Sequence, residues 1–387
     1  MSIVHGLLTG IVGVLVLGSF VYLHLAWREA VRHYVGARPG LLPSPAPGVS
    51  MCKAIEGAED RTYHALASFL DVDYDGPFEL LVGTVNEDDP VVEIVRRLQH
   101  DRPDAPLKLV FGTIFGTNRK TCIMHQLVQE AQYDLLVFSD GDTRATPDYL
   151  QFVVPPLLDP EVGCVTCLPR GIGVGTLGSK IIAFHYVHIY VLQWMAAQAT
   201  TGIAWAFGNT MASTRQVHEA YGGFEAFPDH LADDYEFGAR AHQLGKKVVV
   251  APYLIDTYMP QESVKATLVR LLRWMRTKRR ARPEAFIGMA FCHPVAWLFV
   301  LALLNPCAQW AWAALIVGTA WRLGLAACLD YRALKLPNFW QDWYLLPLVD
   351  LIELGEFLAS WLGHTVVWAG RRFELLPDGR LRLLDPE

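Results

Sequence analysis

Residues 6–27 carry no formal charge, and at ~1.5 Å rise per residue a helix of that length crosses a hydrocarbon core of ~30 Å. The stretch is too long for the core of a signal peptide and no small-residue cleavage site follows it, so it predicts a retained transmembrane signal anchor over residues 1–30. Arg28, Arg32, His33 and Arg38 come directly afterwards. By the positive-inside rule they, and everything beyond them, belong on the cytoplasmic side. Leu41-Leu42-Pro43-Ser44-Pro45-Ala46-Pro47-Gly48 then makes a stiff linker. Residues 31–48 therefore read as a juxtamembrane connection ending at a domain boundary. Composition agrees with a chain partly dissolved in lipid: 52% of residues are hydrophobic and 12 are tryptophan. A net charge of -6 argues against nucleic acid, because phosphate binding needs a basic surplus.

From residue 49 to 283 short apolar runs alternate with amphipathic stretches. Strands are predicted at 49–53, 78–85, 107–111, 134–139 and 163–167, and helices at 61–70, 90–100, 119–131 and 147–155. Such alternation predicts an α/β domain with a Rossmann-like, mostly parallel sheet covered on both faces. Ligands of such sheets bind beyond the carboxyl ends of the strands. The seven cysteines are scattered through apolar stretches, which suits a reducing compartment. Cys164-x-x-Cys167 has no second pair and lies in a strand-like run, so it reads as core packing rather than a zinc site.

Asp140 and Asp142 directly follow the apolar run 134–138. Two carboxylates one residue apart at a strand end can bridge a hard divalent cation to a diphosphate. Acidic turn residues are as a rule only solvated or capping, so the pair by itself is a weak signal. Asp233-Asp234 opens a helical stretch that runs to Gly245. Favouring the helix dipole explains one aspartate better than two; a carboxylate at that terminus also suits a general base for an acceptor hydroxyl. Arg270, Arg273 and Trp274 share one face of a helix over 263–278. Guanidinium groups suit phosphate oxygens, while Lys278, Arg279, Arg280 and Arg282 make attraction to anionic lipid an equally open reading.

With these motifs the chain resembles the ceramide glucosyltransferase family of inverting GT-A glycosyltransferases, including bacterial relatives that glycosylate hopanoids. The resemblance rests on Val49-Ser50-Met51-Cys52-Lys53 with Glu56-Gly57, Asp88-Asp89-Pro90, Gly116-Thr117-Asn118-Arg119-Lys120, Asp140-Gly141-Asp142-Thr143-Arg144 with Pro147-Asp148-Tyr149-Leu150, Asp233-Asp234-Tyr235, Arg270-x-x-Arg273-Trp274 and Trp368-Ala369-Gly370-Arg371-Arg372-Phe373. It implies a GT-A fold over 49–283, with Lys53, Asn86, Asp88, Asn118, Lys120, Asp140 and Asp142 on a UDP-sugar donor. It further implies Mg2+ or Mn2+ on Asp140 and Asp142. Asp234 would be the base beside Asp233, with Arg270, Arg273 and Trp274 supporting diphosphate and acceptor. Asn86 stands where animal members have an aspartate, Ala54-Ile55 replaces Pro-Leu, and Asp233 replaces a glutamate. The complete Asp-x-Asp looks more like the bacterial branch, which implies an integral protein of a bacterial inner membrane with its catalytic domain cytoplasmic.

The resemblance associates residues 175–199, with His185, His188 and Trp194, with a lipid acceptor. An amphipathic helix at the membrane interface accounts for the same residues equally well. Gly208, in Gly208-Asn209-Thr210-Met211, would shape the acceptor floor or simply form a turn before a strand. The implied reaction moves glucose from UDP-glucose to ceramide; transfer of N-acetylglucosamine to a hopanoid is the nearest rival. A processive polysaccharide synthase shares these motifs but needs more spanning helices. A non-enzymatic membrane scaffold is the remaining class.

Residues 284–387 are predicted to hold interfacial and transmembrane helices and a tail. Segments 285–304 and 307–327, split by Asn305-Pro306, read as a hairpin of two crossings. Segment 343–369 carries Asp350, Glu353 and Glu356, for which no basic partner is evident. That stripe is costly in lipid, so the segment reads as an interfacial or re-entrant helix.

Overall fold

A computed structural model describes residues 3–384 except 60, 337 and 338. The chain forms two compact units, one built from Met1–Gly36, Arg170–Gly202 and Met259–Glu374, the other from Ala37–Pro169, Ile203–Tyr258 and Leu375–Glu387.

The second unit holds the α/β sheet. Its strands are β1 (Val49–Ala54), β2 (Phe78–Thr84), β3 (Leu107–Phe111), β4 (Leu135–Phe138), β5 (Thr143–Arg144), β6 (Val162–Ile172), β7 (Met211–Thr214) and β8 (Lys247–Tyr258), in the order β3-β2-β1-β4-β7-β6-β8-β5. β3, β2, β1 and β4 run parallel, as the alternation predicts, while β7 lies antiparallel to both β4 and β6, and β5 to β8. The period of two along each strand divides the core. Val49, Met51, Leu80, Val82, Leu135 and Val137 pack on one face with Leu66, Val95 and Val153. Cys52, Leu81, Leu136 and Phe138 pack on the other with Ile123, Met124 and Leu127 of the helix Arg119–Glu130. Each fully buried aliphatic side chain contributes about 1.5–3 kcal/mol. Cys164 and Cys167 are buried free thiols in opposite faces of this core, which is the packing role expected of them.

Two caps set the loops at the carboxyl end of the sheet. Asp89 caps the helix Pro90–Asp101 by accepting from Val91 N, with Pro90 at the first helical position, where its missing N–H costs nothing. Asn118 caps Arg119–Glu130 by accepting from Thr121 N. Lys120 is thereby fixed in the first turn, beyond the end of β3.

In the first unit the helices Ile3–Tyr34 and Gln309–Leu334 are long and apolar enough to cross a membrane. Val12 and Val16 of the former pack on Leu298 and Leu301. The predicted crossing at 285–304 is not one straight helix. Pro283–Cys292 and Pro294–Leu304 meet at 67°, because Pro294 has no N–H to continue the ladder and its ring clashes with the preceding turn.

Segment 343–369 is likewise only partly helical. Its helix, Leu345–Ser360, is followed by the strand Thr365–Trp368, paired antiparallel with Arg371–Leu375. The Ala369-Gly370 turn between them has φ of 48° and 76°, the two positive values of a two-residue hairpin loop. Two of the three acids of Leu345–Ser360 have partners. Asp350 and Glu353 are 0% exposed while Leu348, Leu351 and Leu358 face outward. Arg322 Nη2 lies 3.7 Å from Asp350 and His185 Nδ1 lies 2.6 Å from Glu353.

Candidate active site

The turn Asp140-Gly141-Asp142 joins β4 to β5 and is held from below. Lys53, on β1, is wholly buried and donates to the backbone oxygen of Asp140 at 2.7 Å and to Thr143 Oγ1 at 2.8 Å. Its ammonium also sits 3.8 Å from the Phe69 ring. Burial pulls Lys53 down to about 7, against the opposing charges of Asp142 and Asp140. From β8, Tyr258 N donates to Asp142 O at 3.0 Å. Lys53 therefore supports the acidic turn rather than pointing into solvent. Burial, helped by the charge of Asp140 and resisted by Lys53, pushes Asp142 up to about 7.

Lys120 joins this turn to the second acidic motif. Its Nζ is 2.7 Å from Asp140 Oδ1 and 3.0 Å from Asp233 Oδ2. Burial alone would lower this lysine, but Asp140 and Asp233 outweigh it and hold it above its ordinary value. Asp234, next in the helix Asp233–Gln243, accepts from Gly208 N at 3.1 Å through Oδ2 and from Tyr235 N at 2.8 Å through Oδ1. Burial and the charge of Asp233 raise Asp234 to about 6, with Lys120 pulling it down.

The turn carrying Gly208 closes with Thr210 N donating to Phe207 O at 3.0 Å. It can lie this close because Gly238 has no side chain: a Cβ there would stand 2.2 Å from Ala206 N. A Cβ on Gly208 itself would meet Asp140 Oδ2 at 3.1 Å and Lys120 Nζ at 3.3 Å. Gly208 thus belongs beside the carboxylates, on the turn before β7.

Next to Asp142 an open cleft is lined by the loop 54–59, Arg61, Thr62, Ala65, Gly141 and Tyr258. Asp89 braces it, accepting from Gly57 N through both oxygens at 2.9 and 3.1 Å. Arg61 lies over the Tyr258 ring at 4.7 Å. Neither Arg61 nor Tyr258 belongs to a motif of the sequence, and the strand Lys247–Tyr258 that brings Tyr258 here is not among the predicted strands. Asn86 and Asp88 form an exposed turn after β2, where Asn86 Oδ1 accepts from Asp88 N at 3.1 Å. Asn118 is buried; its Oδ1 accepts from Thr121 N and its Nδ2 donates to His230 O at 2.8 Å.

The remaining candidates lie in the first unit. Arg270 donates to Glu262 from Nε at 3.1 Å and from Nη2 at 2.9 Å. Arg273 is pulled down to about 10 by burial and by the neighbouring Arg270. Trp274 meets Tyr186 edge-on at 5.3 Å and the His185 ring at 5.8 Å. His188 is buried between Phe184 and Phe339, ring centroids 5.5 and 5.2 Å away. Trp194 packs edge-on to Tyr190 at 5.4 Å.

Residues 11–381 match the description Glycosyl transferase family 21. The chain belongs to that family. Among curated relatives of this family 21 protein, ceramide glucosyltransferase 1 of Caenorhabditis elegans is 25% identical over 248 residues, 63% of this chain and 53% of that protein. Ceramide glucosyltransferase 3 of the same organism is 24% identical over 264 residues, 67% of this chain and 57% of that protein. The chain thus spans little more than half the length of these relatives. Among solved structures, the mannosyltransferase PcManGT from Pyrobaculum calidifontis, in complex with GDP-Man and Mn2+, superposes with a TM-score of 0.54 at 22% identity, covering 91% of this chain and 99% of that one. At that identity the likeness speaks for the fold, and it is the GT-A type that the motifs imply.

Proposed function

We propose that this family 21 protein transfers a sugar, glucose foremost, from a UDP-sugar to the primary hydroxyl of a lipid, ceramide foremost, with inversion at the anomeric carbon. The observation that carries the reading is the single ammonium of Lys120 between Asp140 and Asp233. It sets a donor-type carboxylate turn and a base-type helix start into one charged cluster, which is what a one-step displacement requires.

Asp234 takes the proton of the acceptor hydroxyl. The hydroxyl oxygen forms its bond to the anomeric carbon as the bond to UDP breaks, and UDP leaves with the electron pair. Two backbone N–H groups hold the Asp234 carboxylate in place. A value near 6 keeps it ionised at neutral pH yet basic enough to accept a proton. Asp233 and Lys120 fix the local charge. Arg270, Arg273 and Trp274 are assigned to diphosphate and acceptor on the chemistry of their motif.

The acidic turn fits a divalent cation. Asp142 Oδ1 is buried without a hydrogen-bond partner among the described residues. Among the described residues no group of three or more His, Cys, Asp or Glu is placed to hold a metal, and none is needed: Mg2+ is commonly held by one or two carboxylates together with substrate phosphates. Asp140 and Asp142 would hold such a cation, which supplies charge neutralisation to the departing diphosphate.

The test is incubation of the purified full chain with a panel of UDP-sugars against ceramide, diacylglycerol and bacteriohopanetetrol. Glucosylceramide as the main product supports the reading, and no glycosylated lipid from any pairing overturns it.

A further inference from the structure

Glu353 and His185 meet in the first unit with their side chains 0% and 1% exposed, Oε1 standing 2.6 Å from Nδ1. The helix Leu345–Ser360 is turned inside out to allow this, with Leu348, Leu351 and Leu358 outward and Glu353 inward. A buried carboxylate is costly unless paired. His185, Lys278 and His293 all act on this one. The imidazole in turn lies against the indole of Trp274, planes tilted by 31°, and Tyr186 meets the same indole edge-on. Immediately after His185 the helix loosens into a π-helical turn, Tyr186–Tyr190, a distortion that recurs at functional sites. With Nδ1 facing Glu353, Nε2 is the ring atom left over. It is buried with no ion-pair or hydrogen-bond partner among the described residues, whereas Nδ1, which likewise makes no hydrogen bond of full geometry, has the Glu353 carboxylate beside it; a buried ring nitrogen left this way disfavours the fold unless something fills it.

We propose that Glu353 is a positioning residue for the acceptor: it fixes His185, which seats Trp274 and offers Nε2 to a hydroxyl of the incoming lipid. The inference rests on the lipid glycosyltransferase reading and names the group that recognises the acceptor. A carboxylate against Nδ1 fixes ring orientation and tautomer, the way a second group orients a functional histidine elsewhere.

Steady-state kinetics with lipid and UDP-sugar varied separately decide it. Glu353→Leu is expected to raise the KM for the lipid by about tenfold or more while the KM for the UDP-sugar stays, because one acceptor hydrogen bond is lost. Glu353→Gln, which keeps an oxygen facing Nδ1, is expected to restore most of the lipid affinity. Should Glu353→Leu fail to fold, His185→Asn decides: its amide replaces Nδ1 but not Nε2, so lipid KM rises with the melting temperature unchanged. An unaltered lipid KM in His185→Asn, or an equal rise in both KM values in Glu353→Leu, overturns the inference and leaves a structural ion pair. If the wild-type protein glycosylates no lipid, both this inference and the transferase reading fall.

Discussion

Lys120 and Asp140 form an ion pair of 2.7 Å, across which a lysine capped into place by Asn118 meets a carboxylate at the end of β4. The same ammonium lowers the proton affinity of Asp234. Replacing Lys120 with Met removes that charge, so Asp234 should hold its proton to higher pH. As the proposed base Asp234 works ionised; wild-type turnover is therefore expected to fall as pH drops through about 6, and in Lys120→Met the fall should begin at higher pH. A pH–rate profile of both proteins checks this. An acid limb at the same pH in both would detach Lys120 from the base.

Removal of the metal probes the other end of the cluster. Asp142 Oδ1 has no hydrogen-bond partner among the described residues, so Asp142→Asn should cost the fold little while abolishing metal-dependent binding of the donor. Calorimetric titration of UDP-sugar with and without Mn2+ reads the effect. Chelator should abolish transfer by the wild-type protein; full activity in EDTA would remove the metal from the account.

Gly208→Ala is the finest geometric test. The added methyl would stand 3.1 Å from Asp140 Oδ2 and 3.3 Å from Lys120 Nζ, close enough to press on both without meeting backbone. Misplacement of reacting groups by an ångström can cost about a hundredfold, so a drop of about tenfold to a hundredfold in kcat is expected at nearly unchanged melting temperature. Wild-type kcat in Gly208→Ala would place the reacting atoms away from this turn.

The parallel half of the sheet was legible because β1, β2 and β4 are buried on both faces and are mostly apolar, β4 without a break and the others interrupted only by Ser50 and Lys53 in β1 and by Glu79 and the small Gly83-Thr84 end in β2. β5 has two residues and β7 four, too short for any periodicity to register. The acidic residues were legible by type and by their place at strand and helix ends. Their junction at Lys120 was not, since nothing local links a lysine after β3 to an aspartate on a helix far along the chain. Gly208 was grouped with the acceptor for the same reason: its contact with Asp140 is made by tertiary packing around Gly238. The acidic stripe of Leu345–Ser360 looked unpaired because its cation, Arg322, is hidden within an apolar helix and is 1% exposed.

The proposed role of Asp234 is that of the base in a lipid glycosyl transfer. Asp234→Asn keeps the size of the side chain and an acceptor oxygen for Gly208 N or Tyr235 N, so the fold and the donor site should survive. Turnover of UDP-glucose with ceramide is then expected to fall by about two to four orders of magnitude, with UDP-glucose affinity unchanged by titration. Wild-type turnover in Asp234→Asn, or the same loss in Asp233→Asn alone, would contradict the account.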